Sequence, residues 1–273
     1  MVTCRDAFTV GEWNDALKIH TNPFNRRQIK EFVGKWFAAQ PTSREGLIEW
    51  LEENETMYQA ASSPMITALL CSLYRLDGDM PTTESELYDQ RFDLLLGTWE
   101  RAKGIQPLNI SIRKRYRMFL MELATMMHKE TLRSVGVDVA IDLCKSYYER
   151  SYHTSAEEMV RDLIHRGLLY EEVSGKLSFG HLTYQEFMVG KWLSHHNPVQ
   201  SIARWMDQDW WWQSIRFYAA LKGDISVLCE SLPASKLKDK DFCKRYQELL
   251  NLAPLTPIKS VPLASPKSAT FAT

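Results

Sequence analysis

The sequence is missing several features that commonly announce a function. Its five cysteines (Cys4, Cys71, Cys144, Cys229, Cys243) are odd in number, scattered, and form no C-x-x-C pair. That argues against a zinc site and a disulfide framework, and fits a reducing cytoplasm. No apolar run approaches the length of a membrane span. The opening "MVTCRDAF" has no basic stretch followed by an apolar one, so it is not a signal peptide. A net charge of −1 gives no bias toward nucleic acid or an anionic membrane surface. No internal repeat, paired carboxylates, triad order or metal-ligand spacing emerges, which leaves an intrinsic hydrolase as the weakest reading. What is present is ordinary for a globular protein: 45% hydrophobic and 25% charged residues over 273 positions, enough for two or three small domains. Nine tryptophans promise large aromatic anchors in a core or interface.

The chain reads as mainly α. "VTCR" at the start has strand propensity but no partner strand, and a lone strand cannot satisfy its backbone groups. It either pairs with something later or belongs to a part that lies upstream. From Asn25, a plausible cap, Ile29, Phe32, Val33, Trp36 and Phe37 follow helical spacing with one apolar face. A second helix is expected over about Ser43 to Asn54, with Leu47, Ile48, Trp50 and Leu51 turned inward. In "ASSPMITALLCSLYR", Ser63 can cap and Pro64 suits the first helical position. The residues that follow are apolar nearly all round, as in a helix at the centre of a bundle. Thr83-Glu84-Ser85-Glu86 matches a capping box. Leu87, Tyr88, Phe92, Leu95 and Trp99 form the stripe of the helix it opens, which Gly104 and Pro107 end.

From about Asn109 the pattern changes. Helices are expected at Ile112–Lys129, Asp138–Ser151 and Thr154–Arg166, the last with a capping box at Thr154 and Glu157 and a C′ glycine at Gly167. Two short β-prone runs, "GLLYEEV" and "KLSF", flank Ser174-Gly175 and read as a hairpin. Three helices followed by a β-hairpin wing are the order of a winged helix. After Pro198 the chain is helical again to about Leu252. There the block Trp210–Trp212 is more often core than partner surface. The Pro-rich remainder reads as disordered. The expected organisation is therefore a strand segment at 1–22, a helical domain at 23–108, a winged-helix domain at 109–197, the start of a second helical domain at 198–252 and a tail at 253–273.

His181 precedes a further capping box, Thr183 to Glu186, so a helix is expected to begin at Thr183. Helix N-termini offer unpaired N–H groups and a partial positive charge, a combination that attracts phosphate or carboxylate. A histidine entering just ahead adds a donor. On spacing alone, a structural role for such a histidine outweighs a binding role.

The stretch "FGHLTYQEFMVGKWL" resembles the winged-helix signature of NACHT-type signalling NTPases, the group that includes the Nod-like receptors and prokaryotic relatives. Phe179, His181, Leu182, Thr183, Tyr184, Gln185, Glu186 and Phe187 match the pattern, and Gly190 stands where Ala or Gly is usual. Pro64, Leu69, Leu70, Cys71, Pro81, Leu87 and Tyr88 resemble the first helical domain of those proteins. "FNRRQIKEFVGKWF" resembles the helix that precedes it. "VTCR" resembles the strand that ends in their sensor arginine.

The resemblance, which covers about residues 2–197, implies a nucleotide held between a P-loop domain, the helical domain and the winged helix. His181 would contact the β-phosphate of ADP, Arg5 would be the sensor arginine and Pro64 would lie near the adenine. The cofactor implied is ADP/ATP, with Mg²⁺ only in a full-length parent. Yet the chain contains no G-x-x-x-x-G-K-[ST]. Without that lysine and backbone cradle, tight nucleotide binding and hydrolysis are not expected of this chain alone. The reading is a cytoplasmic regulatory half of a switch-like signalling ATPase, in innate immune or antiphage defence. Its partners would be a P-loop region in cis or trans and further copies of itself, with no membrane partner. Two alternatives stand beside it. One is a winged-helix DNA-binding regulator, which the acidic composition of "SAEEMVRDLIHR" disfavours; the basic cluster Arg113, Lys114, Arg115 and Arg117 then reads as a solvated face. The other is a helical interaction scaffold without a ligand. His195-His196 reads as a favourable helix C-terminus contact rather than a metal site.

Overall fold

A computed structural model describes residues 22–76, 79–98, 109–148, 155–172, 174–233, 235–236, 239–253 and 255–256. The chain divides into two units, 1–106 and 107–273. It is mainly α with one small antiparallel sheet. Among the described residues no helix is long and apolar enough to cross a membrane.

The first unit begins with α1 (Arg26–Trp36). Asn25 Oδ1 accepts the Gln28 N–H at 3.0 Å and Gln28 Oε1 accepts the Asn25 N–H at 3.0 Å, a reciprocal cap that fixes where the helix starts. Ile29, Val33 and Phe37 are buried as the periodicity requires. α2 (Pro41–Glu53) buries Leu47 and Leu51, and the short α3 (Glu55–Ala60), which the sequence pattern does not reveal, buries Met57 and Tyr58. α4 (Pro64–Tyr74) buries Ile66, Thr67, Leu69, Leu70, Cys71 and Leu73, so apolar side chains do cover most of its circumference. Ser63 does not cap it through its side chain. Instead Thr67 Oγ1 donates back to the Ala61 carbonyl at 2.6 Å, which secures the turn from within.

α5 (Glu84–Asp93) is capped by Thr83, whose Oγ1 accepts the Glu86 N–H at 3.2 Å. The Glu86 carboxylate reaches one residue further back than a capping box would, to the Thr82 N–H at 2.8 Å. A π-helical turn at Leu94–Thr98 follows. Its extra residue shifts the helical phase, so that Leu96 is buried and the expected stripe residue Leu95 is only half-buried. The rest of that stripe, Trp99, and the stop signals Gly104 and Pro107 lie outside the described residues.

The second unit opens with α6 (Ile110–Lys129), capped by Asn109 Oδ1 on the Ser111 N–H at 3.0 Å. Thr131 at φ 55° turns the chain into β1 (Ser134–Gly136). α7 (Val137–Tyr148) and α8 (Ala156–His165) follow. The capping box of α8 is Ser155 with Glu158, one residue later than expected. The stretch holds two overlapping boxes, and burial of Ala156, Met159, Val160 and Leu163 picks the register.

β2 (Tyr170–Glu171) and β3 (Lys176–Ser178) form the hairpin. β1 adds to its other side, giving the order β1-β3-β2 with Val135 opposite Leu177. Those two residues are buried while the rest of β2 and β3 faces outward or lies half-buried, so one face of the sheet closes onto the helices.

α9 (Leu182–His196) is the central helix of this unit and packs against both α6 and α11 (Asp209–Lys222). α10 (Val199–Trp205), α12 (Ser226–Ser231) and α13 (Lys240–Leu252) complete the helical layer after the wing. Gly190 permits the α9–α11 approach: a Cβ there would lie 3.0 Å from the Ser214 carbonyl oxygen and would overlap Phe217. In the tryptophan block, Trp211 is buried and stacks on Trp205 at 3.8 Å. Trp210 stacks on the buried His128 at 4.6 Å. Trp210 and Trp211 are thus packing, while Trp212 is half-buried under Arg245. The start of the expected disordered tail is also packed. Ala253 is buried, and Thr256 Oγ1 accepts the Ile225 N–H at 3.0 Å. Residues 257–273 lie outside the described residues.

Candidate functional site

The site is built at the junction of the wing and α9. Phe179, immediately after β3, is buried at 2% exposure and pins the chain to the core. Gly180 follows at φ +73°, a conformation that glycine adopts without steric cost. That bend delivers His181 to the N-cap of α9, where its Nδ1 accepts the Thr183 N–H at 3.2 Å. The helix therefore starts at Leu182, one residue earlier than the Thr183 box predicts, because the cap is His181 itself. Nδ1 is an acceptor here, so the ring proton sits on Nε2 in the neutral form. The tip is also less bare than expected: the Tyr184 N–H donates to the His181 carbonyl at 3.0 Å, so two first-turn donors are already used. His181 is exposed at this tip, within the field of the helix N-terminus.

Behind the tip the motif residues face inward. Thr183, Tyr184, Gln185, Glu186 and Phe187 are all buried. Gln185 Nε2 donates to the Leu132 carbonyl at 3.0 Å, which ties the first turns of α9 to the α6–β1 turn. Phe187 meets Phe217 edge-on at 5.3 Å. The His181 and Tyr184 rings lie 6.1 Å apart at a steep angle. His181 is the one motif side chain between Phe179 and Phe187 that is exposed, with Leu182 half-buried.

Residues 84–193 match the family model of the winged helix-turn-helix domain C-terminal to NACHT. This part of the chain is a NACHT-associated winged-helix domain. The matched stretch includes α5 and the whole of the site around His181. A search of the curated proteins finds no match for the chain.

Two other residues were expected at a nucleotide, Pro64 and Arg5. Pro64 occupies the first turn of α4 in the first unit and is exposed, a position that helix initiation already explains. Arg5 lies outside the described residues. Of the basic cluster, Lys114 is exposed while Arg113, Arg115 and Arg117 are half-buried, so the cluster is not an open solvated face. On α8 the outward side carries Glu157, held by Lys145 at 3.0 Å, and Glu158, held in the cap. The wing adds exposed Glu171 and Glu172. The same helix and wing also carry exposed Arg161 and Lys176, so both signs of charge stand on this side. His195 and His196 direct Nδ1 at the Lys191 and Trp192 carbonyls at 2.8 and 3.0 Å, spending those nitrogens on the helix C-terminus. Among the described residues no cluster of His, Cys, Asp or Glu could hold a metal ion.

An open groove of about 560 Å³ near Trp212, Asp239 and Glu248 contains none of the expected residues. Its Lys236 and Arg245 are engaged by Asp207 and Asp209.

Two features of the site are not apparent in the sequence pattern. Gln185 reads as a plain capping-box position, yet it bridges two elements. Tyr170 reads as one more strand residue, yet its ring lies against Gly180. A glycine directly before a helix cap was the available signal for such a close approach.

Proposed function

We propose that this chain is the regulatory half of a NACHT-type signalling ATPase, in which His181 at the tip of α9 forms one side of a clamp for the diphosphate of ADP. The observation that carries the reading is the choice of residue at an exposed cap. Asn, Asp, Ser and Thr are the effective N-caps; histidine is not among them. Its neighbours in the motif are buried and serve the fold, whereas His181 sits at the surface in a helix-stabilising position that other residues fill better.

The chemistry fits an anion. With Nδ1 committed to Thr183, Nε2–H is the donor, and it acts from the positive end of a fifteen-residue helix. The lysine, amide cradle and Mg²⁺ that dominate phosphate binding in such enzymes would come from a P-loop region in cis or trans, since this chain has no such motif. His181 stabilises a closed state only as far as it touches the nucleotide there and not in the open state. Exchange of ADP for ATP would then weaken the closed state and permit oligomerisation.

A half-site of this kind binds weakly, with a Kd of about 1 mM or above, equivalent to roughly 4 kcal/mol. The test is an ADP titration of the chain followed by ¹H–¹⁵N NMR. Shifts concentrated at residues 180–184 are expected, absent with adenosine and absent in His181→Ala. A titration that leaves these resonances unmoved, or moves them equally in the variant, refutes the clamp.

A further inference from the structure

We infer that Tyr170 is a positioning residue for His181, setting the pose of the imidazole from across the wing. The inference rests on the reading of His181 as a ligand contact, but its central claim about the ring can be tested without a nucleotide. Tyr170 lies on β2, an edge strand of the sheet, opposite Ser178 on β3. Two residues beyond Ser178 the chain bends at Gly180, and the Tyr170 ring covers that bend. A Cβ on Gly180 would lie 2.5 Å from both Cδ2 and Cε2 of the ring, so the contact exists only because residue 180 has no side chain. The Gly180 N–H meets Ser178 Oγ at 3.3 Å, and Phe179 anchors the same bend from the core side. The backbone that presents His181 is thus held from two sides, by a buried phenylalanine and by an exposed tyrosine.

Tyr170 is otherwise out of place. It is 47% exposed on a two-residue strand whose outward neighbours are Glu171, Glu172, Ser174 and Lys176. Its burial adds little to the core. An aromatic covering a glycine across a strand pair is a known way to stabilise a hairpin, and a hairpin-only role is the competing explanation. The two differ in what happens to His181 when the hairpin stays folded.

The experiment measures the ring nitrogens of His181 by long-range ¹H–¹⁵N correlation in the chain and in Tyr170→Phe and Tyr170→Ala. The wild type and Tyr170→Phe should show two well separated ring resonances, one bare Nδ1 and one protonated Nε2. Tyr170→Ala should show a collapsed, averaged pair while the Leu177 and Phe187 signals stay native. A locked pair in folded Tyr170→Ala overturns the inference and leaves the hairpin role. If Tyr170→Ala loses the native signals, Tyr170→Leu, which keeps apolar cover without a flat ring, provides the same two outcomes. ADP titration of Tyr170→Ala separates the two claims. An averaged ring in the variant, with no ADP response even in the wild type, keeps the positioning role and removes the nucleotide.

Discussion

Lowering the pH should destabilise the fold through His128, because of where that ring is placed. His128 sits in the last turn of α6 with 0% exposure. Its Nε2 faces the Trp210 carbonyl at 3.1 Å, an oxygen that can only accept, so Nε2 carries the proton. Nδ1 is then a buried lone pair with no partner. The Trp210 indole closes the pair in return, donating from Nε1 to the His128 carbonyl at 2.8 Å. Trp211 meets the ring edge-on at 4.6 Å. Charging this ring would place an N–H at Nδ1 among aromatic faces. Burial lowers the pKa to about 4, against the smaller opposing pull of the Trp210 carbonyl. The helix C-terminus also favours a cation, typically by about 0.3–1 kcal/mol. The net direction shows that desolvation wins.

The unfolded chain takes up this proton near its ordinary pKa of 6.5, and the folded chain only near 4. Stability is therefore fully present above about 6.5 and falls with pH through that window. At about 1.4 kcal/mol per unit, the loss is on the order of 3 kcal/mol by pH 4, a large share of a typical domain stability of about 5–15 kcal/mol. The assay is urea unfolding by tryptophan fluorescence at pH 7, 6, 5 and 4, in the wild type and in His128→Phe. The variant keeps a flat ring against Trp210 and cannot titrate there, and contributions from carboxylates cancel in the difference. The wild-type advantage should shrink, or its deficit grow, by about 3 kcal/mol from pH 7 to 4. Two parallel curves would refute the argument that this ring is held neutral.

Three further substitutions separate the layers of the site. His181→Asn should preserve or slightly raise stability, since Asn is the better cap, while the ADP response at residues 180–184 disappears; urea midpoints and the titration together check it. Gln185→Ala removes the bond to the Leu132 carbonyl. It should cost about 0.5–1.5 kcal/mol in denaturant unfolding, the net worth of an ordinary hydrogen bond, since Leu132 is exposed and its carbonyl can turn to water. Gly190→Ala forces a methyl against Phe217 and the Ser214 carbonyl. An overpacking loss of about 1–3 kcal/mol in thermal unfolding is expected, and a neutral result would mean that α9 and α11 are not in close contact.

The capping pair Asn25 and Gln28, the N1 proline of α4 and the burial of Ile29, Val33 and Phe37 all follow from interactions within one or two turns, so the sequence alone locates them. The same holds for the helix-helix-helix-hairpin order of the winged helix. The α8 box shows the limit of local signals. Two registers were chemically equal, and the buried face chose between them. Pro64 had two readings in the sequence, and its place in the first turn of α4 agrees with the helix-start one.

By itself, then, the amino-acid order determined most of the helices, the wing and the NACHT-like motif, because periodicity, caps and turn residues act over a few positions. Tertiary structure decided the rest. It recruited the three-residue β1 to β3 across some forty positions of chain, gave His181 the cap in place of Thr183, and laid Tyr170 over Gly180. It also sealed His128 between α6 and the tryptophans. Each of those outcomes depends on which surfaces meet, and the free energy of burying one side chain against another belongs to the pair of elements, not to either sequence segment alone.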